Sequence, residues 1–260
     1  MNKIFAVAGV VIKELYRRKD FYVLFILTVL ITGLMWSMNF FNDEHIVRFV
    51  KELCLLLIWI FTLVIAVTTA ARQIPVERES RTIFPLLAKP FSRWQVLVGK
   101  FLGCWAASGI ALVVFYLFFG IVSASREHTL PFGAYFQALW LHWQMLGIVI
   151  TMTLLGSVLL SFAANLTIVF IVVVGILFAG GHLHLIASRM REPFSSFLAV
   201  LYFLIPHLEL FDMRDLIIHN WAGRDLPPWL DVLGATIYGL CYMCFLLIAA
   251  CLVFRRKALN

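Results

Sequence analysis

Six long apolar runs divide the chain, at 21–38, 53–71, 101–122, 145–163, 166–187 and 230–254. A helix needs about 20 mostly apolar residues to cross a bilayer, and each run approaches or exceeds that length. Within them the only aspartate, glutamate, lysine or arginine is Asp231, at the rim of the last, and prolines 75, 85, 90, 131, 193, 206, 227 and 228 all lie outside. Charge and proline are both costly inside a spanning helix, so these absences support the boundaries independently of hydropathy. A seventh apolar stretch, Phe197 to Ile205, is stopped by Pro206 and the polar residues beyond it. It is too short to span and reads as a re-entrant or interfacial helix.

Composition agrees with this pattern. Of the 260 residues 63% are hydrophobic and 13% charged, and mean hydropathy is +0.96. A soluble domain averages about 25% charged residues and needs them to cover its surface. The expectation is an all-α integral membrane protein with six spans, folded as a single transmembrane domain over residues 1–260.

Charge placement sets the orientation. With the N-terminus inside, the segments 1–20, 72–100 and 255–257 hold 14 of the 21 lysines and arginines, and the inner side nets +10 against −3 outside. The positive-inside bias therefore puts both termini in the cytoplasm, and a bacterial inner membrane is the expected location. The formal charge of +7 is then mostly topology, and nucleic-acid binding is not implied. The first span follows a structured basic segment and ends at Trp36, Met38 and Phe40 instead of small residues, so it is not read as a cleavable signal peptide. Trp36, Trp140, Trp143, Trp221 and Trp229 cluster near the expected outer interface, as anchoring belt residues do. Cys54, Cys104, Cys241, Cys244 and Cys251 all lie in apolar runs, which argues against a disulfide framework and against redox or metal work at the Cys241/Cys244 pair.

Three extramembrane pieces carry more information. In residues 1–20, Ile4, Val7, Ala8, Val11, Ile12 and Leu15 recur at helical spacing, while Lys3, Lys13, Glu14, Arg17 and Arg18 lie largely elsewhere. Such an amphipathic helix lies in the inner interface with its cations toward anionic lipid, and its face is also suited to docking a partner. In the loop 72–100, Pro75 suits a first helical turn and Pro85 a stop, enclosing Glu77-Arg78-Glu79-Ser80-Arg81. Further on, Ser92 and Gln95 have capping-box spacing, and Phe91 can staple onto Val96, so a helix starts at Ser92 and runs into the third span. Gly99 and Gly103, one turn apart, allow close helix approach there. A rigid lever joined to a cytoplasmic hook is the mechanical consequence.

The run from Glu77 through Thr82-Ile83-Phe84-Pro85-Leu86-Leu87-Ala88-Lys89-Pro90 to Phe91-Ser92-Arg93, followed by Gly99-Lys100-Phe101-Leu102-Gly103, resembles the type-2 ABC exporter permeases. Their pattern is E-R-E-x-G-T, two leucines, a proline, S-R, and then G-K with a second glycine. Arg81 departs from it, standing where the pattern has glycine. Leu201 through Pro206-His207-Leu208-Glu209-Leu210-Phe211-Asp212-Met213-Arg214-Asp215 is similar to the small permeases of nitrous-oxide-reductase maturation. The resemblance implies a homodimer of permease chains, each engaging one of two copies of a separate ABC ATPase subunit that holds ATP and Mg. It implies that residues 75–84 form the coupling helix, with Glu77, Arg78, Glu79, Ser80, Arg81 and Thr82 at the ATPase contact. It also implies an outer gate in 188–229, with Pro206, Glu209 and Asp212, and leaves room for an outer accessory protein.

Chemistry within the chain is sparse. There is no phosphate-binding loop, nucleophile elbow or H-E-x-x-H pair, so no catalytic residue and no cofactor is expected in this chain. His45, His128, His142, His182, His184, His207 and His219 all fall on the expected outer side, where His182, His184 and His207 would be the candidates for a metal, although no spacing is diagnostic. Thr151, Thr153, Ser157, Asn165 and Thr167 are the main polar groups of the spans and are expected to bond between helices. Without a mid-membrane charge an ion-coupled carrier is disfavoured, leaving an ATP-driven permease that moves something apolar or transmits force. The alternative is a membrane-embedded enzyme acting on a lipid-like substrate at the outer face, using the outer histidines with Glu209, Asp212 and Asp215.

Overall fold

The computed structural model describes residues 3–17, 19–37, 44–79, 92–127, 132–189, 194–214, 217 and 227–256. In chain order these form α1 (Lys3–Arg17), α2 (Lys19–Ser37), α3 (Glu44–Arg72), α4 (Pro75–Glu79) and α5 (Arg93–Glu127). They continue as α6 (Phe132–Leu159), α7 (Phe162–Arg189), α8 (Phe194–Leu204), a 3-10 turn (Leu208–Phe211) and α9 (Trp229–Arg256). No strand occurs among the described residues. The protein is an all-α membrane protein. Phe49–Glu79, Arg93–Ala124, Phe132–Leu159 and Trp229–Arg256 are long and apolar enough to cross a membrane, and Tyr22–Gly33 and Phe162–Phe178 are shorter apolar helices.

Helices are dictated by the solvent. In hydrocarbon every backbone N–H and C=O must be satisfied inside the chain, and hydroxyls face the same demand. Thr28, Thr32, Thr62, Thr68, Thr153 and Thr236 each donate to the carbonyl four residues earlier. Thr151, Ser157 and Thr167 likewise bond their own helix, at 2.7, 2.7 and 3.0 Å. The expectation that these groups join helices is therefore corrected. A hydroxyl on a short stem finds its own carbonyl before a neighbour's. Asn165 does bridge, its Nδ2 donating to the Thr153 carbonyl at 3.0 Å across the break between α6 and α7.

That break also revises a boundary. α6 runs from Phe132, well before 145, and ends at Leu159. It brings Gln137, His142 and Gln144 inside the bundle, all buried, although all three precede the apolar run at 145–163. Trp140 and Trp143 change role with it. The Trp140 indole donates to Thr236 Oγ1 at 2.9 Å. Trp143 and Trp105 exchange indole-to-carbonyl bonds at 2.9 and 3.0 Å with their rings stacked 4.5 Å apart. Both tryptophans fasten helices together, whereas a belt residue would anchor in lipid headgroups. Trp229 is exposed; the side chains of Trp36 and Trp221 lie outside the described residues.

The core centres on α6. Of its most apolar window 72% is buried, against 22% for α9. At one end of the bundle Ile74, Leu97, Val158, Ala250 and Phe254 pack together, so the turn after α3 and the last turns of α6 and α9 meet the first turns of α5. This is the end that carries α4.

Candidate functional site

α3 stops at Arg72 and a turn at Gln73 and Ile74 leads into Pro75, the first residue of α4. Proline loses nothing there, since the first helical N–H groups have no partner within the helix. The turn is closed by Gln73 N–H donating to the Ala70 carbonyl at 3.2 Å and Arg78 N–H to the Ile74 carbonyl at 3.0 Å. Such a turn exposes carbonyls to the interior, and the Gln73 carbonyl has a particular partner. Lys100 of α5 donates to it at 2.6 Å, approaches Gln73 Oε1 at 3.3 Å, and pairs with Glu77 Oε1 at 2.7 Å.

Lys100 is only 2% exposed. An ammonium removed from water is costly unless its donors are satisfied and a counter-charge is near. Three acceptors for three N–H donors is a complete set. The acceptors come from the end of α3 and from α4, while the lysine rides on α5. Glu77 therefore does not simply face a partner: it turns toward α5, leaving its side chain 33% exposed. Glu79 is exposed and Arg78 partly so. Ser80, Arg81 and Thr82, with the rest of 80–91 including Phe91, lie outside the described residues.

The start of α5 is held at three points. Gln95 Oε1 accepts the Ser92 N–H at 3.2 Å, the reach-back half of a capping box, and helix begins at Arg93. Arg93 in turn donates to the Phe254 and Arg255 carbonyls at 3.2 and 3.3 Å, tying α5 to the C-terminal end of α9. One turn further, Gly99 and Gly103 form the floor on which α1 lies. A Cβ on Gly99 would stand 2.9 Å from the Ile4 carbonyl oxygen and from Val7 Cβ; on Gly103 it would stand 2.7 Å from Val11 Cβ. The apolar stripe Val7, Ala8, Val11 and Leu15 is buried. It is spent on α5, because small residues let the two backbones approach closely. Lys13, Glu14 and Arg17 stay exposed.

At the opposite end the 3-10 turn dips into the bundle. Pro206 is buried and Glu209 exposed. Asp212 receives Arg214 Nε at 2.9 and 3.1 Å and Nη2 at 2.5 Å, with the Arg214 backbone N–H at 3.1 Å. Burial pushes the Asp212 carboxyl up, but the hydrogen bonds and charge of Arg214 outweigh it and hold the group below its ordinary 3.8. Arg214 also lies over the Trp59 ring of α3, 5.1 Å from its centroid. Nearby, His142 bonds Thr62 Oγ1 at 3.1 Å and approaches the Tyr116 hydroxyl at 3.4 Å. His207 engages the Tyr238 hydroxyl through its backbone N–H at 3.0 Å and through Nδ1 at 3.1 Å.

His142, His207 and Asp212 are thus each engaged with different partners. Among the described residues no group of three histidine, cysteine or acidic side chains is placed to hold a metal. The side chains of His45, His128, His182, His184, Asp215 and His219 lie outside the described residues. Arg93 and Lys100 stand within the motifs that carry the family resemblance but have no contact assigned to them by it, and Gln73 is not singled out by the sequence at all.

α4 is thus a short helix at one end of the bundle, ion-paired to α5, a helix long and apolar enough to cross a membrane. The family model described as ABC-2 family transporter protein matches residues 10–257. The chain is an ABC-2 family transporter protein. Among curated proteins none matches it. As an ABC-2 permease it is the multi-pass membrane component of an ABC transporter, and the family implies partnership with an ABC ATPase subunit.

Proposed function

We propose that this ABC-2 permease converts ATP hydrolysis on a separate subunit into motion of α5, and so drives export or transmits force across the membrane. In this reading two chains pair, each with six spans and both termini in the cytoplasm of a bacterial cell. Two ATPase copies carry the ATP and Mg, and this chain contributes no catalytic residue. Segment 75–84 is the surface they push.

The observation that carries the reading is the buried Lys100, which joins Glu77 and the Gln73 carbonyl to α5. A surface loop docking a partner would leave slack between docking point and span. Here displacement of α4 must either move α5 or break a buried ion pair. α1, seated on Gly99 and Gly103, stiffens the same stretch. At the far end, Asp212 and Arg214, held on Trp59, are the elements a moving bundle would release.

The test is affinity purification with the products of neighbouring genes. The expected result is a co-purifying ATPase whose hydrolysis rises when it is bound. In Lys100→Met the ATPase should still bind while that rise is lost. Failure to retain any ATPase, together with no crosslink from residues 75–84 in membranes, would overturn the reading.

A further inference from the structure

One face of α6 carries polar side chains that the coupling reading leaves unused. Gln137 and Gln144 stand seven residues apart, about two helical turns, and each is 1% exposed. The α9 segment covers this face along its length. Gln137 Nε2 donates to the Pro227 carbonyl at 3.3 Å, the Trp140 indole bonds Thr236, and Gly147 sits against Met243. Gly239 of α9 admits the Phe211 ring, and its missing Cβ would lie 3.8 Å from Gln144 Cβ. Among the described residues, Oε1 of Gln137 and Oε1 of Gln144 have no donor. Buried acceptors in native structures are nearly always satisfied, and leaving one bare disfavours the closed packing. Both lie on the same covered face.

α9 is the element able to uncover them. Its buried residues are Val232, Gly239, Met243, Ala250 and Phe254, spaced as one narrow seam, flanked by partly buried Ala235, Tyr238, Tyr242, Leu246 and Leu247, and only 22% of its most apolar window is buried. Its C-terminal carbonyls are gripped by Arg93, in the first turn of α5. A shift of the lever therefore reaches α9 directly.

We infer that the Gln137/Gln144 face is the hydrogen-bond-accepting lining of the transport path. It is uncovered as α9 swings under the pull of Arg93, and it receives the donor-bearing part of a cargo: hydroxyl, amide or ammonium. This rests on the ATPase-driven reading above and replaces its expectation of a purely apolar cargo.

The experiment uses the complete complex with its ATPase subunit in lipid nanodiscs, the native cysteines replaced by alanine. Leu141→Cys, between the two glutamines, is exposed to thiosulfonate reagents of equal length ending in an ammonium or a sulfonate. During ATP turnover labelling should rise at least about tenfold over rest, equivalent to about 1.4 kcal/mol. The ammonium reagent should be favoured beyond its ratio on free cysteine, and that preference should vanish in Gln137→Leu/Gln144→Leu. Arg93→Met should abolish the rise, and Leu146→Cys, on the opposite face of α6, should stay unlabelled.

Silence at Leu141→Cys while ATP is being hydrolysed would overturn the inference and leave the coupling reading intact. Equal selectivity with and without the glutamines would mean a wet face that recognises no donor, which also overturns it. Absence of ATPase binding or hydrolysis would remove the driving reading, and the inference with it. Gln144→Leu alone gives an independent readout: the resting complex should melt higher and turn over more slowly, and a lower Tm would contradict the inference.

Discussion

Lys100 on α5 and Glu77 on α4 meet at 2.7 Å, with the same ammonium hydrogen-bonded to the carbonyl of Gln73 in the turn that precedes α4. The contact bridges two elements separated by the undescribed 80–91 segment, so it does by side chain what the intervening backbone need not do. Breaking a fully buried pair costs about 3–5 kcal/mol. Glu77 retains 33% side-chain exposure and can turn to water, so Lys100→Met should cost less, on the order of 1–3 kcal/mol. Thermal unfolding in detergent would measure the loss. Hydrogen exchange should show it concentrated in Gln73 to Glu79, with α6 unaffected.

The seat of α1 makes a steric prediction. Gly103→Ala would put a Cβ 2.7 Å from Val11 Cβ and 2.9 Å from the Ala8 carbonyl oxygen, both on a helix that cannot yield locally. Overpacking of this kind costs about 1–3 kcal/mol. The expected outcome is detachment of α1 with the rest of the bundle folded, read as new protease cleavage within residues 3–17. Gly9→Ala, with nothing within 4 Å of the added carbon, should leave the pattern unchanged.

Much of this was legible in the chain itself. Apolar runs free of charge located the membrane helices, and Ser92 with Gln95 located the start of α5, because capping and desolvation are local physics. The sequence misled where a polar residue is tolerated through partners far along the chain. His142 falls on the expected outer side, before the apolar run at 145–163, yet it is buried through contacts to Thr62 and Tyr116. Lys100 looked like interface charge for the same reason. Its burial is made possible by Gln73 and Glu77, and no periodicity announces that triangle. The α1 stripe showed that a face would be buried but not against what; only the bare backbone at Gly99 and Gly103 decides for α5 over lipid.

The outer turn has a pH signature. Asp212 is held below 3.8 in the folded protein, so its stabilising contribution is present above that value and is lost as pH falls through the lower folded one. Hydrogen exchange at Leu208 to Arg214 should therefore be flat from neutral pH down to about 4, after correction for intrinsic exchange, and rise only in stronger acid. Asp212→Asn should bring the loosened state to neutral pH, since Arg214 then holds Trp59 without its carboxylate. A rise beginning near pH 6 would point to a histidine instead.

The α6–α7 break depends on Gly156. A Cβ there would collide with Asn165 Oδ1, whose amide holds the Thr153 carbonyl at 3.0 Å. Gly156→Ala should displace Asn165 and destabilise the protein by about 1–3 kcal/mol. Gly156→Ala/Asn165→Ala should recover part of the loss, because the clash and the bond disappear together. Thermal unfolding of the three variants would read this.

The most direct test is a double-mutant cycle between Glu77 and Lys100, reading the rise in ATP hydrolysis that binding to the permease produces. Glu77→Gln and Lys100→Met should each reduce it at least about tenfold with the ATPase still bound, and the double variant should be no worse than the poorer single. That non-additivity would mean the two side chains act as one mechanical joint. Additive losses, or loss of ATPase binding in Glu77→Gln with Lys100→Met unaffected, would contradict it: Glu77 would then be a docking contact, and α4 would not drive α5 through Lys100.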